Sequence, residues 1–260
     1  MSHLVDILEV IKSLAVKAGK SVLEIYEKDF QVEYKDDNSP LTDADKISND
    51  IIISGLEKEF YNYAILSEES KDDLSRLDNK YCWIVDPLDG TKEFIKKNGE
   101  FTINIALTYN HRVILGVIYA PVREELYYAS KGNGAFLYKN GEVIKLKVSD
   151  RINNIRIVAS RSHLSDKLKS LLNEKGIKNI VYIGSSLKGC LVAKGDAEVY
   201  YRFNPTMEWD TAAMQCIVEE AGGIFRQMDD TEMIYNRKNN VNEKGFYILN
   251  RSENKLLSGV

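Results

Sequence analysis

The sequence predicts an α/β protein, α+β in its first half, made of two packed halves at residues 1–150 and 151–260. Three observations carry that expectation. A long amphipathic helix opens the chain, short strands with tight turns fill residues 101–146, and strand and helix signals alternate from about residue 150. With 260 residues, 44% of them hydrophobic, the chain can bury one large core or two that share an interface. A cleft between the halves is a natural ligand site.

In the first helix Leu4, Leu8, Ile11, Ala15, Ala18, Val22 and Ile25 recur at steps of three and four, on one face. Gln31 to Tyr34 reads as a strand and Lys35 to Pro40 as a polar turn. Ala44 to Phe60 reads as a second helix with Ile47, Ile51, Ile52 and Leu56 turned inward. Ala64 to Ser67 and Tyr81 to Val85 are short apolar runs that end in Glu68-Glu69 and Asp86, as buried strands with acids at their ends would. Phe101 to Tyr109, Val113 to Ala120, Glu125 to Ala129 and Gly134 to Leu146 form an antiparallel meander, with Asn140-Gly141 as a hairpin turn. Three strand–helix pairs follow: Ile155–Ser160 with Asp166–Glu174, Ile180–Ile183 with Leu187–Lys194, and Glu198–Phe203 with Thr211–Ala221. Phe246 to Leu249 is the last strand.

Composition narrows the function. A net charge of −4 leaves no basic footprint for polymeric nucleic acid, though a local cationic pocket for a small anion remains compatible. The N-terminus lacks the apolar block of a signal peptide, and no run is long and apolar enough for a transmembrane helix. The expectation is a cytoplasmic protein, with peripheral inner-membrane association left open, as a monomer or homodimer. Cys82, Cys190 and Cys216 are widely spaced and read as buried free thiols. His3, His111 and His163 are equally scattered, so a metal here should be a hard cation held by carboxylates.

The densest signal is Trp83-Ile84-Val85-Asp86-Pro87-Leu88-Asp89-Gly90-Thr91. A buried strand delivers Asp86, Pro87 stiffens the exit, and a tight turn brings Asp89 toward the same ion. Gly90 and Thr91 then open a helical turn whose N–H groups suit a phosphate oxygen. Glu68, Glu69, Asp43, Asp45 and Asp210 are candidates to join. Taken singly each has a plainer reading, as a turn, a helix cap or a solvated loop. Together they could not crowd one cleft without cations, and two or three Mg²⁺ ions would suit a phosphate monoester.

Four of these stretches, Leu41-Thr42-Asp43-Ala44-Asp45, Ser67-Glu68-Glu69, Asp86 to Thr91, and Trp209-Asp210-Thr211-Ala212-Ala213, occur in the order found in the inositol monophosphatase superfamily, which the chain resembles. Trp83 to Asn104, with its Lys92-Glu93-Phe94 continuation, is similar to the CysQ-type branch, the 3'(2'),5'-bisphosphate nucleotidases. Gly184-Ser185-Ser186-Leu187-Lys188, Ser160-Arg161-Ser162-His163 and Tyr201-Arg202-Phe203 point the same way. The likeness runs from the first helix to about Gly223 and then fades.

The resemblance implies a layered α/β/α/β/α sandwich and an Mg²⁺-dependent, lithium-sensitive phosphatase. It would convert adenosine 3',5'-bisphosphate to AMP by direct in-line attack of a metal-bound water. Glu68, Asp86 and the Leu88 carbonyl would hold one Mg²⁺, Asp86, Asp89 and Asp210 a second, and Glu68 would help hold a weaker third. Asp45 and Thr91 would activate the water, with Glu68 counted among the catalytic residues. The Gly90 and Thr91 amides would grip the phosphate, and Glu68, Leu88, Asp89 and Asp210 also fall at substrate-contacting positions. His163, Ser185, Lys188 and Arg202 match nucleotide contacts, with Lys188 and Arg202 suited to a second phosphate. Met214 departs from the family pattern, which often has glycine there. The competing readings are an inositol monophosphatase or other sugar-phosphate phosphatase, and a non-catalytic nucleotide sensor.

Overall fold

The computed structural model describes residues 2–35, 40–162 and 164–257. The turn expected at Lys35 to Pro40 and the side chain of His163 therefore lie mainly or wholly outside the described residues. The elements are α1 (Ser2–Tyr26), β1 (Val32–Tyr34), β2 (Pro40–Thr42), α2 (Asp43–Glu59), β3 (Ala64–Ser67), β4 (Tyr81–Asp89), α3 (Thr91–Ile95), β5 (Thr102–Tyr109), β6 (Arg112–Ala120), β7 (Glu125–Ser130), β8 (Gly134–Lys139) and β9 (Glu142–Lys145). There follow β10 (Ile157–Ser160), α4 (Asp166–Glu174), β11 (Ile180–Ile183), α5 (Leu187–Ala193), β12 (Val199–Arg202), β13 (Thr206–Met207), α6 (Ala212–Glu220), β14 (Ile224–Gln227), β15 (Val241–Asn242) and β16 (Phe246–Leu249).

Strands β3 to β9 form one seven-stranded sheet in sequence order, antiparallel except for the parallel β3–β4 pair. A second sheet runs β11-β10-β12-β16-β14. Side chains alternate across a strand, so each sheet feeds two cores. Trp83, Val85, Ile103, Ile105, Val117 and Tyr128 on one face of the large sheet pack against Ile11, Ala15, Ala18 and Val22 of α1 and Ile52 and Leu56 of α2. On the opposite face Ile84, Ala106, Ile118, Tyr127 and Ala129 meet α5 and α6, which also cover Val158, Tyr200, Phe246 and Ile248 of the small sheet. The outer face of the small sheet, with Ile157, Ala159, Val199 and Tyr201, packs on Leu168, Leu171 and Leu172 of α4. The layers are therefore α/β/α/β/α.

Three expectations change in detail. Ile47 is 40% exposed rather than inward. The packed face of α2 is Ala44, Ser48, Ile52 and Leu56, and Ile47 lies about 100° around the helix from that stripe. The strand expected to end at Val85 continues to Asp89. Strands β2, β13 and β15, of two or three residues, are too short to show a period, and β14 is a further strand not predicted from the sequence. The Asn140-Gly141 turn is as expected, with both residues at positive φ (52° and 82°). Cys82, Cys190 and Cys216 are free and buried. No helix of the described residues is long and apolar enough to cross a membrane.

Candidate active site

The site begins with an irregularity in β4. Asp86 pairs with Asn104 and Asp89 with Thr102, so β4 carries one residue more than β5 across this stretch. In a regular strand residues three apart face opposite ways, and the extra residue turns Asp89 back to the side of Asp86. The Leu88 N–H donates to Asp86 Oδ1 (3.1 Å), which fixes the turn. Ser48 of α2 donates to the Pro87 carbonyl (2.6 Å) and ties the loop to the helix layer.

Asp210 arrives from the other half. It precedes the α6 cap residue, Thr211, and so is not itself a cap. Its Oδ2 accepts from the Met207 N–H (2.6 Å). The adjoining Glu208 is fully buried and accepts from the N–H groups of Asn236 and Arg237, which anchors this turn. One carboxylate oxygen each from Asp86, Asp89 and Asp210 lie within 4.8 Å of one another.

Glu68, at the end of β3, is held differently. Lys35 bridges Glu68 (3.0 Å) and Glu69 (2.5 Å). Sequence reading missed this pairing, because nothing local links residues 33 positions apart. Burial works against the charged ammonium, yet Glu68 and Glu69 push Lys35 up to about 12. Asp45 sits in a capping box at the start of α2, its Oδ2 accepting from the Thr42 N–H (2.7 Å) and hydroxyl (2.6 Å). Its Oδ1 accepts from Thr91 Oγ1 at 3.1 Å.

Crowding leaves its mark on these acids. Burial, then repulsion from Glu68, Asp89, Asp210 and Asp45, drives Asp86 well above the ordinary carboxylate range. Burial, opposed by Lys35 and reinforced by Glu69, pushes Glu68 up to about 7. Burial and then Asp89 push Asp210 to about 7. Burial also raises Asp45, against the bonds from Thr42. Such a group of acids must take up protons or a cation. The donors are hard oxygens with no histidine or cysteine among them, the chemistry of an Mg²⁺-type site.

A cavity of about 230 Å³ joins this cluster to the second half. Glu68, Asp89, Gly90, Thr91 and Asp210 line it together with Ser185, Lys188 and Arg202. Lys188 is buried, not solvated. Its Nζ donates to the Ser185 carbonyl (2.5 Å) and lies over the Tyr200 ring, 5.7 Å from its centroid. Burial lowers its pKa, with Asp89 opposing. The Arg202 Nε is buried with no hydrogen-bond partner. Met214 also lines the cavity, and Gly189 makes room for it: a Cβ there would stand 2.2 Å from Met214 Cγ. Ser186 and Glu93 lie inside the motifs, but nothing in the sequence gives them a role; both line the cavity, and Ser186 bonds directly to Asp89.

The sequence profile of the inositol monophosphatase family matches residues 3–257. The chain belongs to the inositol monophosphatase family. The match extends past Gly223, where the resemblance by motifs fades. The chain is 40% identical over 245 residues to the 3'(2'),5'-bisphosphate nucleotidase CysQ of Salmonella typhimurium, covering 93% of this chain and 98% of the relative. It is 42% identical over 246 residues to CysQ of Buchnera aphidicola, 92% of each. The crystal structure of CysQ from Bacteroides thetaiotaomicron superposes with a TM-score of 0.81 at 39% identity, covering 94% of this chain and 98% of that one. The family is metal-dependent, and Asp86, Asp89 and Asp210 supply a cluster of three acidic side chains.

Proposed function

We propose that this chain is an Mg²⁺-dependent phosphatase that removes the 3'-phosphate from adenosine 3',5'-bisphosphate, releasing AMP and phosphate. The observation that carries the reading is a single cavity lined both by carboxylates and by the cations Lys188 and Arg202. A substrate with one phosphate has no use for those two cations. The names of the CysQ relatives support the same substrate.

Glu68, Asp86 and the Leu88 carbonyl would hold one Mg²⁺, Asp86, Asp89 and Asp210 a second, and Glu68 would help hold a third. Bound there, the ions would neutralise the phosphate dianion, acidify a water and stabilise the leaving oxygen. Thr91 and Asp45 manage that water's proton. The Thr91 hydroxyl donates to Asp45 Oδ1, so its lone pairs are free to accept from the water. Asp45 Oδ2 is committed to Thr42, which fixes the carboxylate, and burial makes it a stronger base than an exposed aspartate. The Gly90 and Thr91 amides hold the reacting phosphate. Lys188 and Arg202 take the second phosphate, and the unpaired Arg202 Nε gains an acceptor. Ser185 borders the same end, and the role proposed for His163 is contact with base or sugar.

A phosphatase for inositol monophosphate would leave Lys188 and Arg202 without a second phosphate to bind, and Arg202 Nε still unpaired. A sensor that releases no phosphate would leave the Thr91–Asp45 pair without a task. Phosphate release from adenosine 3',5'-bisphosphate and inositol 1-phosphate, at equal Mg²⁺, separates these readings. Lys188→Ala should lower kcat/KM about 10- to 100-fold for the bisphosphate only. Equal losses on both substrates would contradict the assignment.

A further inference from the structure

Ser186 lines the cavity and touches the acidic cluster through Asp89. It occupies the N-cap position of α5 but makes no side-chain cap bond, the usual task of a serine there. Its hydroxyl turns to Asp89 instead. Ser186 Oγ donates to Asp89 Oδ2 at 2.7 Å, and the Ser186 N–H donates to the same oxygen at 2.6 Å. Asn104 Nδ2 donates to Ser186 Oγ (2.9 Å) and to Asp89 Oδ2 (3.3 Å). These donors converge on Asp89 Oδ2 and fix the orientation of its carboxylate.

The same short segment carries further lining residues of the cavity. Ser185 precedes Ser186 and Lys188 follows two residues later, and all three line the cavity. Upstream, the Gly184 N–H donates to Glu100 (2.8 Å), whose carboxylate is gripped by Arg161 Nε and Nη2 at 2.7 Å each. Between these anchors Ser185 is held at φ 47°, in the left-handed region. A serine keeps that strained conformation only where its surroundings over-determine it. The loop also backs onto the phosphate turn, where a Cβ on Gly90 would stand 3.3 Å from Ser185 Cβ.

We propose that Ser186 is a positioning residue that couples the cation site to the distal-phosphate site. Its two bonds orient Asp89 and, through the backbone, fix the loop that bears Ser185 and Lys188. Ordering of either site then favours binding at the other, by the same factor in both directions. The distal half of this inference rests on the bisphosphate reading given above. The cation half does not.

Ser186→Ala tests it. Calorimetric Mg²⁺ affinity without nucleotide should fall about tenfold. At saturating Mg²⁺, KM for adenosine 3',5'-bisphosphate should rise several-fold with kcat nearly unchanged. KM for adenosine 3'-monophosphate, which has no distal phosphate, should stay at the wild-type value. Ser186→Thr, which keeps the hydroxyl, should restore both. If Ser186→Ala does not fold, Asn104→Ala loosens the same hydroxyl and should give the same signs. Wild-type Mg²⁺ affinity in Ser186→Ala, or a KM rise shared equally by the two substrates, would overturn the proposal. If the wild-type protein does not hydrolyse the bisphosphate, the substrate reading fails, and calorimetry still decides whether Ser186 orients Asp89.

Discussion

Stripped of divalent cations, the protein should lose stability as pH rises from about 4 to 7. Glu68 is pushed from 4.5 to about 7 and Asp210 from 3.8 to about 7. A folded-state value above the unfolded one means that the native protein holds the proton more tightly. The stabilisation from that proton is complete below the unfolded value and is lost as pH climbs through the folded one. One such group costs on the order of 3 kcal/mol across this window. The two groups interact, so their costs do not simply add. For a chain of this size about 3 kcal/mol corresponds to roughly 6–12 °C in Tm. Calorimetric melts between pH 5 and 8 in chelator should show Tm falling. Excess Mg²⁺ should reverse the fall, with a gain that grows with pH because bound cations replace protons. Asp210→Asn, which removes one of the charges, should flatten the slope in chelator. A metal-free Tm that is level or rises with pH, or an Mg²⁺ gain equal at pH 5 and pH 8, would refute the account of the cluster as a site awaiting cations.

Further outcomes follow from single contacts. Thr91→Ala should lower kcat by about 10²–10⁴, while Thr91→Ser, which retains the bond to Asp45, should keep most of it; steady-state phosphate release measures both. Gly90→Ala places a side chain at φ 97° and 3.1 Å from the Glu100 carbonyl, and should cost about 1–2 kcal/mol in denaturant melts and most of the activity. Gly189→Ala should overpack against Met214, at about 1–3 kcal/mol, and Met214→Gly in the same chain should relieve the clash. A double-mutant cycle by urea unfolding reads the coupling between them.

The parts of the molecule that are legible in the sequence are those with a local signature. The face of α1, the Asn140-Gly141 hairpin and α4 at Asp166–Glu174 follow from period and turn chemistry. Glu68 and Asp86 stand at the ends of apolar runs, whereas Asp45 and Asp210 are collected only through the order of the family's motifs, and the structure brings the carboxylates of Asp86, Asp89 and Asp210 within 4.8 Å. Contacts between distant residues could not be read this way. Lys35 is an ordinary surface residue in sequence, yet it bridges Glu68 and Glu69. Ser186 looks like a helix cap and is spent on Asp89. Lys188 is expected at a second phosphate only through the family resemblance, and its burial depends on where α5 lies between the sheets. Ile47 errs the other way, because helical period gives an apolar sector but not the width of the face that a neighbour covers.

The most direct test of the function is ³¹P NMR of adenosine 3',5'-bisphosphate turned over in ¹⁸O-labelled water with Mg²⁺. The predicted result is AMP bearing its 5'-phosphate together with inorganic phosphate that carries one solvent oxygen, and no turnover in chelator. Adenosine 3'-monophosphate as product, phosphate without label, or release that persists without divalent cations would contradict it.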